Sequence, residues 1–138
     1  MVYIGAWDSN GVYAINATTG KLKWTYNVGP DGVLPPNTFL FGSPVALNGV
    51  VYIGALNQKV YALNGTTGTL IWNYMTPGPI GSSPAISGNG ILYIGCGWGS
   101  DVTWHGTNGV VALNATTEPL SPDARLIWKH LIGPGYMY

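Results

Sequence analysis

Side chains that could carry out catalysis or hold a metal ion are few in this sequence and lie far apart. Cys96 is the only cysteine, so the chain can form neither an internal disulfide nor a thiolate zinc site. The five acidic residues are spread over different loops. The DSNG turn at Asp8 is typical of a hairpin rather than of a calcium loop, which needs about six to eight oxygens. His105 and His130 are isolated. We therefore predict no catalytic, cofactor-binding or metal-binding residues, and no cofactor.

The composition excludes several classes of partner. Charged residues make up 7% of the chain, and five Lys and Arg balance five Asp and Glu. Such a surface has no net field to attract nucleic acid or an acidic membrane. No apolar run approaches the roughly 20 residues of a membrane helix. We expect neither nucleic-acid binding nor membrane insertion.

A repeated unit positions most of the remaining residues. Its first strand carries a Tyr at positions 3, 52 and 93, and its last strand carries a Trp at positions 24, 72 and 128. Between them a turn begins at Asn16, Asn64 and Asn114. This period of about 50 residues is one that indicates a solenoid or a propeller.

Each unit consists of short strands. VYIG-type and VYALN-type runs are rich in β-branched and aromatic residues and are bounded by turn residues such as Asn48-Gly49 and Asn89-Gly90. With a PVAL-type strand before and an LxWxY-type strand after them, they give four antiparallel strands A, B, C and D, which is one propeller blade. No helical period is present.

The fold prediction is an all-β, incomplete β-propeller of just under three blades and 11 strands. Residues 1–42 form blade 1 (strands B, C and D) with a long D–A loop, and residues 43–83 form blade 2. Residues 84–138 form blade 3 with two insertions. Closed propellers have about four to eight blades, so we expect an oligomer or a fragment of a longer chain.

The turns and tryptophans match a known pattern. AINATTGKLKW, from Ala14 to Trp24, resembles the tryptophan-docking motif of pyrroloquinoline-quinone (PQQ)-repeat propellers, AxDxxTGxxxW, with Asn16 in place of Asp. The second unit fits from Ala62 to Trp72, whereas the third has Glu118 in place of Gly. The resemblance implies that a Trp packs between adjacent blades while the turn hydrogen-bonds around it. The implied docking residues are Trp24, Trp72, Trp128, Gly20 and Gly68.

The same family includes quinoprotein dehydrogenases. The resemblance implies that such enzymes hold PQQ against two adjacent cysteines and a calcium ion, with an Asp as base. This chain has one cysteine and dispersed acids, so we predict that it belongs to a non-catalytic branch and is not an enzyme.

Two insertions suggest a binding face. Residues 96–108 lengthen the B–C connection of unit three, and residues 29–42 lengthen the D–A connection after unit one. Because antiparallel strands alternate in direction, these two connections share a face, and loops on a rigid scaffold often bind partners. The candidate residues for contacting a protein or a glycan are Trp98, Asp101, Trp104, His105, Phe39 and Phe41. The alternative is that these aromatics cover the open ring.

The opposite face carries three Asn-x-Thr sequences, at Asn16, Asn64 and Asn114. They are candidate N-glycosylation sites, although Asn and Thr also suit such turns by bonding their own backbone.

Taken together, the sequence predicts a non-catalytic extracellular or cell-surface scaffold that contacts protein or glycan and self-assembles into a ring or filament. Its protein partner would be a second copy or further blades of a longer chain. One alternative is a fragment of a PQQ-dependent dehydrogenase whose active site lies outside this chain. Another is a propeller lipoprotein of outer-membrane protein assembly, which would be periplasmic.

Overall fold

The chain folds into three small antiparallel sheets that follow one another along the sequence. The computed structural model describes residues 1–7, 9, 11–28, 40, 42–97 and 107–133. The first sheet contains β1 (Val2–Ala6), β2 (Gly11–Ile15) and β3 (Leu22–Asn27), paired in that order. The second contains β4 (Val45–Leu47), β5 (Val50–Gly54), β6 (Lys59–Asn64) and β7 (Leu70–Met75).

The third sheet repeats this order. It contains β8 (Ala85–Ile86), β9 (Ile91–Cys96), β10 (Asn108–Asn114) and β11 (Leu126–Gly133). The predicted fold class is confirmed: 11 strands in three antiparallel sheets form a partial propeller, and the described residues close no ring.

Tight hairpins set the register of the strands. Leu47 pairs with Val50 across a two-residue turn in which Asn48 and Gly49 have φ angles of 50° and 77°. Positive φ at both positions is the backbone of a type I′ turn, which matches the twist of paired strands and favours Asn-Gly. The Asn-Gly dipeptide therefore directs this connection.

Every sheet has an irregularity at the same place, next to its tryptophan. Trp24, Trp72 and Trp128 each pair with an alanine, after which the register shifts by one residue. A β-bulge of this kind bends the outer strand and increases its twist. The alanine opposite leaves space beside the large indole ring.

Two apolar layers hold the sheets together. The first joint, between the first and second sheets, is built around Trp24 and contains Val51 and Ile53. The second joint, between the second and third sheets, is built around Trp72 and contains Leu92 and Ile94. These aliphatic side chains are fully or almost fully buried, so their removal from water contributes to the stability of the two joints.

A single helical turn, α1 (Pro122–Arg125), precedes β11. The sequence has no helical period here, and the turn is set by its cap: the Ser121 hydroxyl accepts from the Ala124 amide, and Pro122 occupies the first turn.

Candidate functional site

The first joint brings two side-chain donors to one backbone carbonyl. The Trp24 indole donates to the Gly65 carbonyl oxygen at 2.9 Å, and the Tyr3 hydroxyl donates to the same oxygen at 3.1 Å. The two rings lie 5.8 Å apart, tilted by 35°. Both donors come from the first sheet and the acceptor comes from the second, so this carbonyl ties the two blades together.

The acceptor lies in a turn that is shaped by its own side chains. We call residues 16–20, 64–68 and 114–118 the docking turns. In the second, the Asn64 side-chain oxygen accepts from the amides of Thr66 and Thr67 at 2.9 and 3.0 Å. The Gly68 amide then donates to the Asn64 carbonyl at 2.8 Å. Asn and Thr fold the turn locally, which leaves the Gly65 carbonyl free to face Trp24.

Gly68 is required in this turn for two reasons. Its φ of 77° lies in the left-handed region, which costs residues with a Cβ about 1 kcal/mol or more. A Cβ at Gly68 would also lie 2.6 to 2.9 Å from atoms of the Trp24 ring. The turn therefore packs directly on the indole because the glycine has no side chain.

The second joint also bonds a tyrosine and a tryptophan to its docking turn, but it uses two neighbouring carbonyls and has no glycine on the ring. The Tyr52 hydroxyl donates to the Ala115 carbonyl at 2.8 Å, and the Trp72 indole donates to the Thr116 carbonyl at 3.0 Å. The third docking turn ends in Glu118, and it is Arg125 that covers the ring, with its guanidinium carbon 4.0 Å from the Trp72 ring centroid. A guanidinium at this distance makes a cation–π contact.

Arg125 also fixes the turn itself. Its guanidinium donates to the carbonyls of Asn114 at 2.7 Å, Thr116 at 3.1 Å and Glu118 at 3.1 Å, and only 2% of the residue is exposed. Burial lowers the pKa of Arg125 from its ordinary value, and the nearby Tyr52 opposes this shift. Planar forked donors suit several carbonyls at once. Sequence reasoning missed this residue. Its signal was Glu118 in the place of the expected glycine, followed by an insertion from Glu118 to Arg125 before Trp128.

The third tryptophan lacks the contacts that the first two make. Trp128 and Tyr93 form the same tilted pair, 6.0 Å apart. Trp128 is nevertheless 45% exposed, against 8% for Trp24 and 9% for Trp72. Within the described ranges, neither its indole nor the Tyr93 hydroxyl has a hydrogen-bond acceptor. Gly20, in the first docking turn, has a φ of 68°, and a Cβ at this position would lie more than 4 Å from every atom of the described residues beyond its chain neighbours.

The predicted binding face lies almost wholly outside the described residues. This applies to Phe39, Phe41, Trp98, Asp101, Trp104 and His105, so their contact with protein or glycan stays a prediction. The base of the insertion is described: the Gly97 amide donates to the Pro79 carbonyl at 2.7 Å, and the Thr107 amide donates to that of Pro77 at 3.1 Å. These bonds tie the B–C connection to a D–A connection.

The three Asn-x-Thr sites all occupy the docking turns. The side-chain oxygens of Asn16, Asn64 and Asn114 each accept from a backbone amide two residues ahead, at 2.9, 2.9 and 3.0 Å. This bond gives each Asn a folding role, and glycosylation stays a prediction.

The groups present do not fit a quinone–metal centre. Within the described part of the chain no three His, Cys, Asp or Glu side chains come together as metal ligands. Cys96 is buried at the end of β9, where desolvation raises the pKa of its thiol, so it is a poor nucleophile. An open groove of about 350 Å³ between the second and third sheets is lined by groups such as Asn48, Asn89 and Thr116. It offers amides and hydroxyls but no carboxylate.

Comparison with known proteins identifies the repeat and its structural relatives. The family model described as outer membrane protein assembly factor BamB matches residues 2–126. A quinohemoprotein alcohol dehydrogenase from Pseudomonas putida superposes with a TM-score of 0.71 and 23% identity, over 96% of this chain and 25% of that one. The quinohemoprotein alcohol dehydrogenase from Comamonas testosteroni superposes with a TM-score of 0.70 and 24% identity, over 94% of this chain and 19% of that one. BamB from Moraxella catarrhalis superposes with a TM-score of 0.59 and 18% identity, over 88% of this chain and 35% of that one.

No curated protein sequence matches the chain. Among the described residues no helix is long and apolar enough to cross a membrane. The chain spans only about a fifth to a third of the solved structures that it matches.

These results correct the functional prediction. The expectation of a non-catalytic scaffold, and with it the expectation that the chain is not an enzyme, is wrong: the structural neighbours include quinoprotein alcohol dehydrogenases, and the dehydrogenase-fragment alternative fits them better. The localisation prediction is supported only in part. The family description, which names an outer-membrane assembly factor, agrees with a location outside the cytoplasm. The match over residues 2–126 confirms the resemblance in the docking turns, and the chain belongs to the PQQ-repeat propeller family described as outer membrane protein assembly factor BamB.

Proposed function

We propose that the three sheets are a segment of a PQQ-dependent alcohol dehydrogenase propeller, in which they serve as part of the wall. The observation that carries this proposal is the superposition on two quinohemoprotein alcohol dehydrogenases, with TM-scores of 0.70 and 0.71 over 94% and 96% of this chain. The BamB structure superposes less well, with a TM-score of 0.59 over 88% of the chain.

In this proposal the segment supplies rigidity rather than reacting groups. The described residues bring together no carboxylate, histidine and cysteine set that could hold a metal, so the quinone and its metal belong to other residues of the enzyme. What the described residues provide is a pair of blade joints fixed by Trp24 and Trp72. Rigid supporting elements keep an active site within the small tolerances that catalysis needs.

The test is an activity assay on the protein purified from its native source. Alcohol-dependent reduction of an artificial dye is measured after adding PQQ and calcium, with a chelator-treated sample as control. The proposal expects dye reduction that requires alcohol, quinone and metal together. Dye reduction that is absent under all these conditions contradicts it.

A second candidate function rests on the family match, which covers residues 2–126. In this alternative the segment belongs to a factor that assists the assembly of outer-membrane proteins. A strain lacking the gene discriminates between the two. Reduced levels of outer-membrane proteins with normal alcohol oxidation favour the assembly role, and the reverse pattern favours the dehydrogenase.

For both candidates we propose a periplasmic rather than a cell-surface location. Cell fractionation tests this, because a protein released with the periplasmic contents supports it and a protein retained in the cytoplasm contradicts it. Intact mass measurement of the same material tests the three Asn-x-Thr sites, since each glycan adds a discrete increment.

A further inference from the structure

Asn-Gly dipeptides are the places in a protein chain where an asparagine most readily loses its side-chain amide group. The backbone nitrogen of the following residue attacks the side-chain carbonyl carbon, and glycine has no Cβ to shield that nitrogen or to restrict its backbone. Five such dipeptides occur in this sequence, and they begin at Asn10, Asn48, Asn64, Asn89 and Asn108. Three of them lie in described turns, and these turns hold the reacting atoms differently.

The Asn64-Gly65 dipeptide is held at both reacting groups. The Asn64 side-chain oxygen accepts from the amides of Thr66 and Thr67 at 2.9 and 3.0 Å. The Gly65 amide, which is the nucleophile, donates to the Gly49 carbonyl at 2.7 Å. Gly65 is also buried. The reaction therefore needs three hydrogen bonds to break and the turn to open first.

The Asn89-Gly90 dipeptide is held in the same two places. The Ser87 hydroxyl donates to the Asn89 side-chain oxygen, and the Gly90 amide donates to the Ser87 carbonyl at 2.9 Å. Asn108 is protected in another way, because it is only 6% exposed in β10, a strand that is paired on both sides. Asn10 lies outside the described residues.

The Asn48-Gly49 turn differs because neither reacting group is held. Both residues are exposed, and within the described ranges the Asn48 side chain and the Gly49 amide form no hydrogen bond. The turn is kept by the pairing of Leu47 with Val50 on either side of it. Its reacting atoms therefore face water in the folded protein.

We propose that Asn48 is the asparagine of the described chain that deamidates while the protein is folded. The Gly49 nitrogen forms a bond to the Asn48 side-chain carbonyl carbon, and the side-chain nitrogen leaves as ammonia with the proton that the Gly49 amide gives up. Water then opens the succinimide ring. Attack at the side-chain carbonyl gives aspartate, and attack at the main-chain carbonyl gives isoaspartate. The inference concerns this turn alone, so it applies to either candidate function.

Isoaspartate at position 48 loosens the first joint. A two-residue turn with positive φ at both positions matches its strands closely, and isoaspartate adds one carbon atom to the main chain there. The Gly49 carbonyl, which accepts from the Gly65 amide at 2.7 Å, is thereby displaced from the second docking turn. The Gly65 carbonyl in turn accepts from Trp24 and Tyr3, so the change is passed to the contact between the two sheets.

Incubation of the native-source protein at mildly alkaline pH, followed by peptide mass spectrometry, tests the site. Fragment ions locate the mass gain, and chromatography separates aspartyl from isoaspartyl peptides. In the folded protein Asn48 should convert at least about ten-fold faster than Asn64 and Asn89, because these two react only after local opening. In urea all three should convert at similar rates, since the dipeptide is the same. Equal rates in the folded protein, or no conversion of Asn48 there, overturn the proposal.

Variants of residue 48 test the effect on the joint. Asn48→Asp adds the charge without lengthening the main chain, and Asn48→Gly tolerates positive φ but has no amide group to lose. Incubated protein that carries isoaspartate should have a Tm about 2–4 °C below that of Asn48→Asp, whereas incubation should leave the Tm of Asn48→Gly unchanged. Equal Tm values for the isoaspartate form and Asn48→Asp, or the same loss in incubated Asn48→Gly, overturn the link to the joint.

Discussion

At the scale of single residues, the two joints solve one packing problem in two ways. The first joint uses Gly68, whose missing side chain lets a turn lie on Trp24. The second uses Arg125, which lies on Trp72 and binds the carbonyls of its turn. Gly68 is required because its φ is positive and no Cβ fits beside the ring, whereas the Arg125 guanidinium adds charge-assisted hydrogen bonds. The two joints should therefore respond differently to substitution.

Replacing Arg125 should weaken the second joint strongly. Arg125→Ala removes the guanidinium donor from the carbonyls of Asn114, Thr116 and Glu118 and uncovers Trp72. The Thr116 carbonyl keeps its bond from the Trp72 indole. We expect a loss of about 2–4 kcal/mol in the free energy of unfolding, measured by urea denaturation. Arg125→Lys should recover only part of this, because an ammonium has no planar fork. The exposed Lys129→Ala is the control, at about 0.5 kcal/mol or less. Equal effects of Arg125→Ala and Lys129→Ala would contradict the assignment.

Gly68 and Gly49 separate backbone strain from packing. Both have a φ of 77°, but only Gly68 faces an indole ring. Gly49→Ala should cost about 1 kcal/mol from strain alone. Gly68→Ala should cost about 1–3 kcal/mol more because the methyl group collides with Trp24. Urea denaturation of the two variants measures this difference in the free energy of unfolding. Equal losses in the two variants would show that the turn can move away from the Trp24 ring without cost.

The thiol of Cys96 should respond to alkaline pH in a defined direction. Burial raises its folded-state pKa above the unfolded value, so the unfolded chain loses this proton first as pH rises. The contribution of the buried neutral thiol to the free energy of unfolding is fully present below about pH 8.5, and it is lost as pH rises through the folded-state pKa of Cys96. Stability above pH 8.5 should fall less steeply in Cys96→Ala than in the natural chain, and identical slopes would argue against a buried neutral thiol.

At the scale of elements, the sequence predicts the strands well because each one is short, apolar and bounded by turn residues. The Asn48-Gly49 hairpin is an example, since both residues tolerate the positive φ that the turn requires. The helix Pro122–Arg125 is not predictable in the same way. One turn shows no period, and its existence depends on the Ser121 cap and on the bonds that Arg125 makes to a distant part of the turn.

The docking tyrosines allow a comparison of equivalent strand positions. Tyr52 donates to the Ala115 carbonyl at 2.8 Å, whereas the Tyr93 hydroxyl has no acceptor within the described ranges. Tyr52→Phe should lower the free energy of unfolding by about 1 kcal/mol, and Tyr93→Phe should leave it almost unchanged. Thermal or urea denaturation measures both, and a reversed order would mean that the hydroxyl bond does not hold the second joint.

At the scale of the whole molecule, the repeat predicts a propeller but not its use. The docking residues Trp24 and Trp72 follow from a motif that recurs in the chain, and they lie in the joints. The absence of adjacent cysteines suggested a non-catalytic protein, and this inference was wrong because the structural neighbours include quinoprotein alcohol dehydrogenases. The repeated motif identifies the fold, but a fold does not determine which site it carries, so the motif alone does not predict the activity.

Quinone retention by the native-source protein tests the central claim most directly. The protein is incubated with PQQ and calcium, desalted, and its bound quinone is measured by absorbance after denaturation. We expect about one quinone per polypeptide chain, as for a single pre-formed site, and we expect it to be lost when a chelator removes the metal. A desalted protein that retains no quinone, although its sheets are folded, would contradict the proposal that these sheets are part of the wall of an alcohol dehydrogenase.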